Sequence, residues 1–167
     1  MFNNNKILVV IPARGGSKGI PRKNIRLLGE KPLISYAINT AKSSQYVDDV
    51  VITTEDPAIA TMAEKFGCST LKRPVELSGD EVPEKQAFDE YDLIVTLQPT
   101  SPLLKTATLD AAIEKFRDFD VHTVVSVVDD RHLRWGYDEA NQRYFPLYRE
   151  RVNRQYLPKS YKETGSL

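Results

Sequence analysis

The sequence predicts an α/β fold, namely a three-layer α/β/α arrangement around a mainly parallel sheet of the Rossmann-like type. Two observations carry this prediction. Short aliphatic runs of strand length alternate along the chain with segments whose apolar residues recur at i, i+3, i+4 and i+7. The alternation also implies right-handed crossovers and helices on both faces of the sheet. Successive strands are therefore expected to be parallel.

The composition is that of one globular domain of ordinary size. The 167 residues carry 23 Lys and Arg against 23 Asp and Glu, so no overall attraction for nucleic acid is expected. The one cysteine, Cys68, excludes an internal disulfide, and its place after Gly67 favours a small buried residue. No apolar run has membrane-spanning length, and residues 1–5 do not resemble a signal peptide. We therefore expect a cytoplasmic protein that does not enter the membrane.

The first element is a strand, the aliphatic run Ile7–Ile11, of the kind found in strands buried on both faces. It breaks at Pro12 and enters residues 13–24, here called the glycine loop. Clustered like charges repel one another and glycines cost backbone entropy, so a ligand is expected to compensate both effects. A polyphosphate would do so, since backbone N–H groups can approach its oxygens while cations neutralise its charge. The glycines are Gly15, Gly16 and Gly19, and the cations are Arg14, Lys18, Arg22 and Lys23.

The glycine loop differs from the better-known phosphate motifs. It contains no GxGxxG, and Gly16-Ser17-Lys18 lacks the order and spacing of a Walker loop. A solvated basic turn is the alternative interpretation. The position directly after a buried strand favours the ligand, because ligands of open α/β sheets collect at the carboxyl ends of strands.

The next segments continue the alternation. Pro32 suits the first turn of a helix, and the apolar stripe of that helix would be Leu33, Ile34, Ala37, Ile38 and Ala41. Residues 50–54 then predict the second parallel strand.

A second helix is predicted after residues 50–54. Asp56 would cap it, with Pro57 at its first position and Gly67 at its end. Its buried stripe would be Ile59, Met62, Ala63 and Phe66. Glu55 and Asp56 resemble a metal-binding pair, but a cap together with a charge at the helix dipole explains them at lower cost.

Two further strands and a helix complete the predicted core. Residues 69–71 predict a short strand, and residues 92–98 predict a longer one that Pro99 and Pro102 end sharply. A helix follows, with Leu109, Ala112, Ile113 and Phe116 on one face. Residues 121–128 are then expected to form a further buried strand.

Beyond Asp129 the composition changes to arginines interleaved with aromatic residues. Such a pattern can bind single-stranded nucleic acid, but interspersed acids dilute the charge and no RNA-binding motif is present. A solvated surface hairpin is the simpler alternative. The residues are Arg131, Arg134, Arg143, Arg149, Arg151 and Arg154, among Trp135, Tyr137, Tyr144, Phe145, Tyr148 and Tyr156.

Residues 12–24, PARGGSKGIPRKN, resemble the signature of the acylneuraminate cytidylyltransferase (CMP-sialic acid synthetase) family. Residues 73–77, 97–103 and 154–158 agree with the same family, and the resemblance runs from Lys6 to the last residue. It implies the fold of nucleotide-diphospho-sugar transferases. It also implies a nucleotidyltransferase that moves CMP from CTP to a nine-carbon acidic sugar and releases pyrophosphate. The related pseudaminic acid enzymes tend to carry a cation where this chain has Gly19, which favours a sialic- or legionaminic-type sugar.

The resemblance also implies roles for individual residues. The nucleotide-binding positions are Arg14, Gly15, Gly16, Ser17, Lys18, Lys23, Asn24 and Arg73. Lys23, acting at the α-phosphate, and Arg14 are the catalytic positions, and Gln98 and Arg154 are the sugar-binding ones. The residues alone leave simpler roles open, since Arg73 could pair with Glu76 and Gln98 could satisfy backbone groups of its turn.

The family also implies a division of the chain and an assembly. Residues 1–128 would form the nucleotide-binding core, and residues 129–160 an arm that crosses to the partner of a homodimer and helps close the sugar site. Residues 161–167 would begin the return to the core sheet. A dimer arm is preferred to a solvated hairpin, and nucleic-acid binding is the least favoured interpretation.

Two departures from the family leave a second hypothesis open. The resemblance implies Mg²⁺, but the aspartates that hold it in the family come from beyond Leu167, and neither Asp129 nor Asp130 matches them. His122 and His132 have no partner at ligand spacing. Residues 81–90 are also fewer than the family places at the wall of the base pocket. The alternative is therefore a catalytically silent nucleotide-binding or dimerising remnant of the same fold.

Overall fold

The computed structural model describes residues 5–17, 19–72, 88–119 and 121–167. These residues form two compact units. The first unit contains the described residues up to Val125 together with Gly165–Leu167, and the second unit is Ser126–Thr164. The predicted arm, residues 129–160, falls inside the second unit, and the roles predicted for the regions stay predictions.

The elements of both units follow in chain order. The strands are β1 (Ile7–Pro12), β2 (Leu27–Leu28), β3 (Lys31–Pro32), β4 (Asp49–Thr54), β5 (Ser69–Lys72), β6 (Leu93–Thr96), β7 (Val127–Asp129), β8 (Trp135–Asp138), β9 (Arg143–Pro146) and β10 (Tyr161–Glu163). The α-helices are α1 (Leu33–Lys42), α2 (Pro57–Lys65) and α3 (Thr106–Asp118), and short 3-10 turns lie at Lys23–Ile25 and Arg154–Tyr156.

The first unit is built on a parallel sheet whose described strands lie in the order β5-β4-β1-β6. This confirms the predicted α/β fold class with a parallel central sheet, while the described residues supply the helical layer of one face only. The central strand is β1, which pairs with β4 on one side and β6 on the other. Its aliphatic run from Ile7 to Ile11 is between 0 and 7% exposed, because both faces of the strand are covered.

The α-helices of the described residues pack on one face of this sheet. Ile7, Val9 and Ile11 alternate along β1 and therefore share that face. The predicted apolar stripes are confirmed as the buried faces of the helices, with Ile34, Ile38, Ile59, Ala63, Leu109 and Ile113 in two adjoining clusters. On the opposite face, Leu8 and Val10 pack with Phe88.

The predicted ends of α2 are confirmed in detail. The Asp56 side chain accepts a hydrogen bond from the Ala58 N–H at 2.8 Å, and Pro57 is the first helical residue. Gly67 has φ of +65°, the left-handed conformation that ends helices and that glycine adopts without strain. Cys68 is buried behind it, and this burial raises the pKa of its thiol.

The prediction of a buried strand at residues 121–128 is wrong. In the described part of this stretch, strand β7 begins only at Val127, and it pairs antiparallel with β10 rather than joining the parallel sheet. Val121, Val125, Val127 and Val128 are between 38 and 49% exposed. A short run of β-branched residues suits a central strand and a two-stranded ribbon equally well, so the pattern could not distinguish them.

The second unit consists of this β7–β10 ribbon and a β8–β9 hairpin. In the hairpin, the rings of Tyr137 and Tyr144 contact each other at a tilt of 47°, with centroids 4.9 Å apart. Gly136 lies under the Phe145 ring, where an added Cβ would come within 2.4 Å of a ring carbon. Close cross-strand contacts of aromatic rings therefore hold the hairpin together.

No helix in the described part of the chain is long and apolar enough to cross a membrane.

Asp129 of the ribbon forms a bidentate ion pair with Arg131. The guanidinium Nε and Nη2 donate to the two carboxylate oxygens at 2.9 and 2.5 Å. These bonds hold the pKa of Asp129 below its ordinary value. Because the pKa of Asp129 is lower in the folded state than in the unfolded chain, its carboxylate stabilises the fold at pH values above the ordinary pKa of Asp. That contribution is lost as the pH falls through the folded-state pKa.

We predict that Arg131→Ala raises the pKa of Asp129 toward its ordinary value, because the hydrogen bonds that favour the carboxylate are removed. A ¹³C-carboxyl NMR titration of both proteins measures the change. Arg117→Ala, which removes an exposed arginine of α3, is the matched control and should leave Asp129 unchanged. An Asp129 pKa that is equal with and without Arg131 would contradict the prediction.

Candidate functional site

Two predicted site segments lie at the point where the strand order of the sheet reverses. From β1 the chain moves outward to β4 and β5, and it then returns to the other side of β1 to form β6. The glycine loop follows β1 and the turn at residues 97–103 follows β6. In open α/β sheets, ligands bind outside the carboxyl ends of the strands at such a reversal. The topology therefore places both segments where a ligand site is expected.

The start of the glycine loop is fastened to the end of β4. The Ala13 N–H donates to the Thr53 carbonyl at 2.9 Å, which extends the pairing of the two strands. The Gly15 N–H then donates to Glu55 Oε1 at 2.6 Å. The other carboxylate oxygen of Glu55 is buried and has no hydrogen-bond partner in the described chain. This side of the loop is thus anchored by a side chain from a neighbouring strand end.

Gly15 is required by the fold itself. A Cβ added there would lie 2.4 Å from Asp56 Oδ2 and 2.7 Å from Asp56 Cβ, closer than real contacts allow. Asp56 cannot easily move aside, because it caps α2 through Ala58 and its own N–H donates to Thr54 Oγ1 at 3.1 Å. A side chain at position 15 would therefore displace either the loop or the helix cap.

Gly16 and Gly19 have no such requirement among the described residues. Both are exposed, a Cβ at either position meets nothing within 4 Å, and neither has a positive φ. Alanine would therefore fit both positions in the structure as it stands. The space in front of them suits the close approach of a ligand to the backbone.

The far side of the glycine loop is held by Asn24. This residue is 4% exposed, and its Nδ2 donates to the Arg14 carbonyl at 3.0 Å. Arg22, with φ of 52°, turns the chain into the Lys23–Ile25 turn and so brings Asn24 back to the loop. Asn24 thus braces the loop from within, and its predicted contact with a nucleotide stays a prediction.

The described cations of the loop form no ion pairs with other described residues. Arg14 is exposed and Lys23 is half-buried. The ion pairs found between described residues involve neither of them, nor Arg22. The backbone at Arg14 is nevertheless fixed on both sides, by Ala13 and by the Asn24 bond. Its guanidinium therefore projects from a rigid base toward solvent.

The turn after β6 is fixed by its backbone. Leu97 is 1% exposed, the Gln98 N–H donates to the Ser166 carbonyl at 3.2 Å, and the Ser101 N–H donates to the Gln98 carbonyl at 3.2 Å. The side-chain amide of half-buried Gln98 makes no hydrogen bond to another described residue. The turn therefore does not need that amide, which is consistent with a ligand-binding role that stays a prediction.

A cavity of about 300 Å³ lies at the carboxyl ends of β4 and β5. Glu55, Asp56 and Lys72 are among the residues that line it. Arg73, predicted to line the nucleotide pocket, directly follows Lys72 and lies outside the described residues, as does Lys18 of the glycine loop. The shortened segment at residues 81–90 is described only from Phe88 onward. Its effect on base recognition stays untested.

Arg154 begins the 3-10 turn of the second unit and is exposed. Its predicted contact with the sugar carboxylate stays a prediction.

The described residues do not fit a magnesium site. They contain no group of three His, Cys, Asp or Glu side chains arranged to hold a metal ion. The carboxylate of Asp129 is occupied by Arg131, and that of Asp130 contacts Arg134 and His132. The Mg²⁺ implied by the family resemblance stays a prediction.

The sequence does not predict the contact between Glu55 and Gly15. It predicts a cap and a dipole charge from Glu55 and Asp56, and the structure confirms the cap for Asp56. The missed hydrogen bond joins residues 40 positions apart, so no local spacing could indicate it. The available signal was that β1 and β4 are consecutive strands of a parallel sheet, whose carboxyl ends meet at one edge.

Comparisons with known sequences agree on one family. A family model described as "Cytidylyltransferase" matches residues 8–143. The chain is 35% identical over 130 residues to the N-acylneuraminate cytidylyltransferase of Escherichia coli O18:K1:H7, covering 73% of this chain and 31% of that protein. It is 40% identical over 123 residues to the pseudaminic acid cytidylyltransferase of Campylobacter jejuni, covering 66% and 53%. The match spans less than two thirds of either relative's length.

Solved structures agree in fold. A CMP:2-keto-3-deoxy-manno-octonic acid synthetase complexed with CTP matches with a TM-score of 0.68 at 20% identity, covering 96% of this chain and 72% of that one. A 4-diphosphocytidyl-2C-methyl-D-erythritol synthase matches with a TM-score of 0.66 at 16% identity, with the same coverage of 96% and 72%. At these identities the likeness concerns the fold alone.

The two neighbouring glycines should respond differently to alanine. We predict that Gly15→Ala destabilises the fold by about 1–3 kcal/mol, because its Cβ overlaps Asp56. Gly16→Ala, the matched control, should change the free energy of unfolding by less than about 1 kcal/mol, since its Cβ meets open space. Urea denaturation followed by circular dichroism measures both values. Equal stabilities of the two variants would contradict the assignment of Gly15 to the fold.

Proposed function

The chain belongs to the acylneuraminate cytidylyltransferase family, and from this premise we propose that it transfers CMP from CTP to a nine-carbon acidic sugar. The observation that carries the proposal is the glycine loop. Its described cations have no internal ion pairs, two of its glycines face open space, and it stands at the reversal of strand order. The stability of the fold alone does not explain this combination, whereas binding of a polyphosphate does.

In the proposed reaction, the anomeric hydroxyl oxygen of the sugar forms a bond to the α-phosphorus of CTP. The bond from that phosphorus to the bridging oxygen breaks, and pyrophosphate leaves with the electron pair, while the hydroxyl proton passes to solvent. Negative charge grows on the α-phosphoryl oxygens and on the leaving group. Cations that are already in place stabilise this charge without reorganisation.

Lys23 and Arg14 are the residues proposed to supply that charge. Lys23 starts the short 3-10 turn whose next residue, Asn24, braces the loop, so its backbone is fixed relative to Arg14. We assign Lys23 to the α-phosphate and Arg14, with Lys18, to the rest of the triphosphate. The Gly16 N–H has no hydrogen-bond partner among the described residues, so it is available to a phosphate oxygen.

The sugar is proposed to be a nonulosonic acid of the sialic or legionaminic type. Relatives of this chain carry the names of several such sugars, among them N-acylneuraminate and, in Legionella pneumophila, N,N'-diacetyllegionaminic acid. Gln98, whose amide makes no hydrogen bond to another described residue, is proposed to orient the sugar hydroxyls. Arg154 is proposed to bind the carboxylate, for which a planar guanidinium is suited.

The second unit is proposed to be a dimerisation arm. It exposes several aromatic and aliphatic side chains, and aromatic residues are enriched in protein interfaces. The largest exposed fractions are those of Tyr144 at 71%, Leu147 at 61%, Tyr156 at 73% and Tyr161 at 59%. A second copy of the same arm would cover this surface.

We predict that the chain releases pyrophosphate from CTP when N-acetylneuraminate and Mg²⁺ are present. Lys23→Ala should lower turnover roughly a hundredfold or more, since a lost charged contact at the transition state costs about 2–4 kcal/mol. Lys65→Ala is the matched control. Lys65 is an exposed lysine in the last turn of α2, at the end of the helix away from the strands' carboxyl ends.

The assay separates the two functional hypotheses when CTP binding is measured alongside by calorimetry. Turnover that depends on Lys23 supports the transferase. CTP binding without turnover for any nonulosonic acid contradicts it and supports a silent nucleotide-binding protein. No binding of CTP at all contradicts both, and full activity of Lys23→Ala overturns the assignment of that residue.

We predict that light scattering gives the mass of a dimer, and that Leu147→Ala with Tyr156→Ala shifts the chain toward monomer. These two side chains are exposed and take no part in the ring pairs of the second unit. Phe119→Ala, which removes a comparably exposed aromatic residue of the first unit, is the control. A monomeric mass for the unaltered chain would contradict the arm assignment.

A further inference from the structure

The carboxylate of Glu55 has no role in the reaction proposed above. It follows β4 directly, at the same edge of the sheet as the glycine loop. One oxygen accepts the Gly15 N–H at 2.6 Å, and the other is buried with no partner in the described chain. Among the described residues outside the glycine loop, Glu55 is the one whose side chain forms a hydrogen bond to the described part of the loop.

Placing a carboxylate there is costly for the fold. A buried carboxylate oxygen loses its hydration, and an unmade hydrogen bond leaves that loss uncompensated. The single bond to Gly15 is 2.6 Å long, and hydrogen bonds to a carboxylate are stronger than those between neutral groups. An apolar residue would fit the same space without the burial of a charge. The charge therefore points to a function in the loop.

The bond to Glu55 determines which backbone donors of the loop remain for a ligand. The Gly15 N–H is directed to Glu55, and the Ser17 N–H donates to the Gly15 carbonyl at 3.1 Å. Of the described amides 15–17, that of Gly16 is left without a partner, and Gly16 also faces open space. The bond to the carboxylate thus leaves the Gly16 N–H as the unpaired donor among these three amides.

The negative charge of Glu55 also changes the charge balance of the loop. Glu55 bonds the residue next to Arg14 in the chain, and the loop carries Lys18, Arg22 and Lys23 within the following positions. A carboxylate bonded to this segment lowers its net positive charge before any phosphate arrives. The loop can then remain ordered in the absence of a ligand, so that less ordering is required when the ligand binds.

We propose that Glu55 is a positioning residue that holds the glycine loop in the conformation that accepts the triphosphate. The inference rests on the proposed function and extends it. Glu55 acts through the Gly15 N–H and does not touch the nucleotide. A protein that spends less time in the competent conformation binds its ligand more weakly in proportion, whereas the chemistry after binding is unchanged.

The test compares Glu55→Gln with the unaltered chain. The amide is nearly the same size, but its oxygen is a weaker acceptor, and its NH₂ group would lie buried without an acceptor. Calorimetry should give a Kd for CTP about tenfold higher. The KM for CTP should rise in parallel, with kcat within about twofold of the unaltered value. Glu64→Gln, which removes the charge of an exposed acid on α2, is the matched control and should change neither.

A second readout follows the contact itself. In the unaltered chain, the Gly15 amide should resonate downfield and exchange slowly with solvent, both with and without CTP. In Glu55→Gln it should move upfield and exchange faster. A Gly16 amide that shifts on addition of CTP, while Gly15 stays protected, would support the proposed division of the donors.

The outcomes distinguish this inference from the proposed function. If the unaltered chain fails to bind CTP, the proposed function is contradicted, and so is a role for Glu55 in serving it. If CTP binds equally to Glu55→Gln, the positioning role is overturned while the function stands. A fall in kcat equal to that in kcat/KM would place Glu55 at the reacting centre and also overturn it. If the variant does not fold, rapid exchange of Gly15 in the unaltered chain would overturn the inference by itself.

Discussion

The burial of β1 between two parallel neighbours is the constraint on which the site depends. The strand is covered on both faces and paired along both edges, so its carboxyl end has a fixed position in the sheet. The glycine loop inherits that position, because Ala13 still pairs with Thr53 after the strand has ended. A cluster of like charges would otherwise spread into solvent. Here it is carried on a backbone that the hydrophobic core holds in place.

The loop is divided between residues that serve the fold and residues that face outward. Gly15 and Asn24 make the internal contacts, with Asp56 and Glu55 on one side and the Arg14 carbonyl on the other. Gly16 and the Arg14 side chain lie on the open side. A rigid inner half and an accessible outer half form the arrangement expected of a preorganised anion site, in which donors are fixed before the ligand arrives.

The features that could be predicted from the sequence are those that depend on residues close together in the chain. The stripes of α1, α2 and α3, the cap at Asp56 and the glycine stop at Gly67 follow from spacing within a few residues, and the structure has them all. Contacts between distant segments could not be predicted in the same way. The bond from Gly15 to Glu55 depends on which strand ends meet, and the valines at 121–128 suited two kinds of pairing. The three glycines looked equivalent in the sequence, yet the structure requires only Gly15 for packing.

The second unit is inserted into the first, since residues 126–164 separate Val125 from Gly165–Leu167, which belong to the first unit. The hydroxyls of Ser101 and Ser166 lie 2.9 Å apart across 65 positions of chain, and Leu167 packs against the core. During synthesis, the turn that carries Gln98 therefore leaves the ribosome well before the residues that complete its surroundings. The turn after β6 can reach its final packing only after the whole insertion has been translated. Its assembly is a late event in biogenesis, governed by translation of residues 126–164 as well as by the speed at which the core collapses.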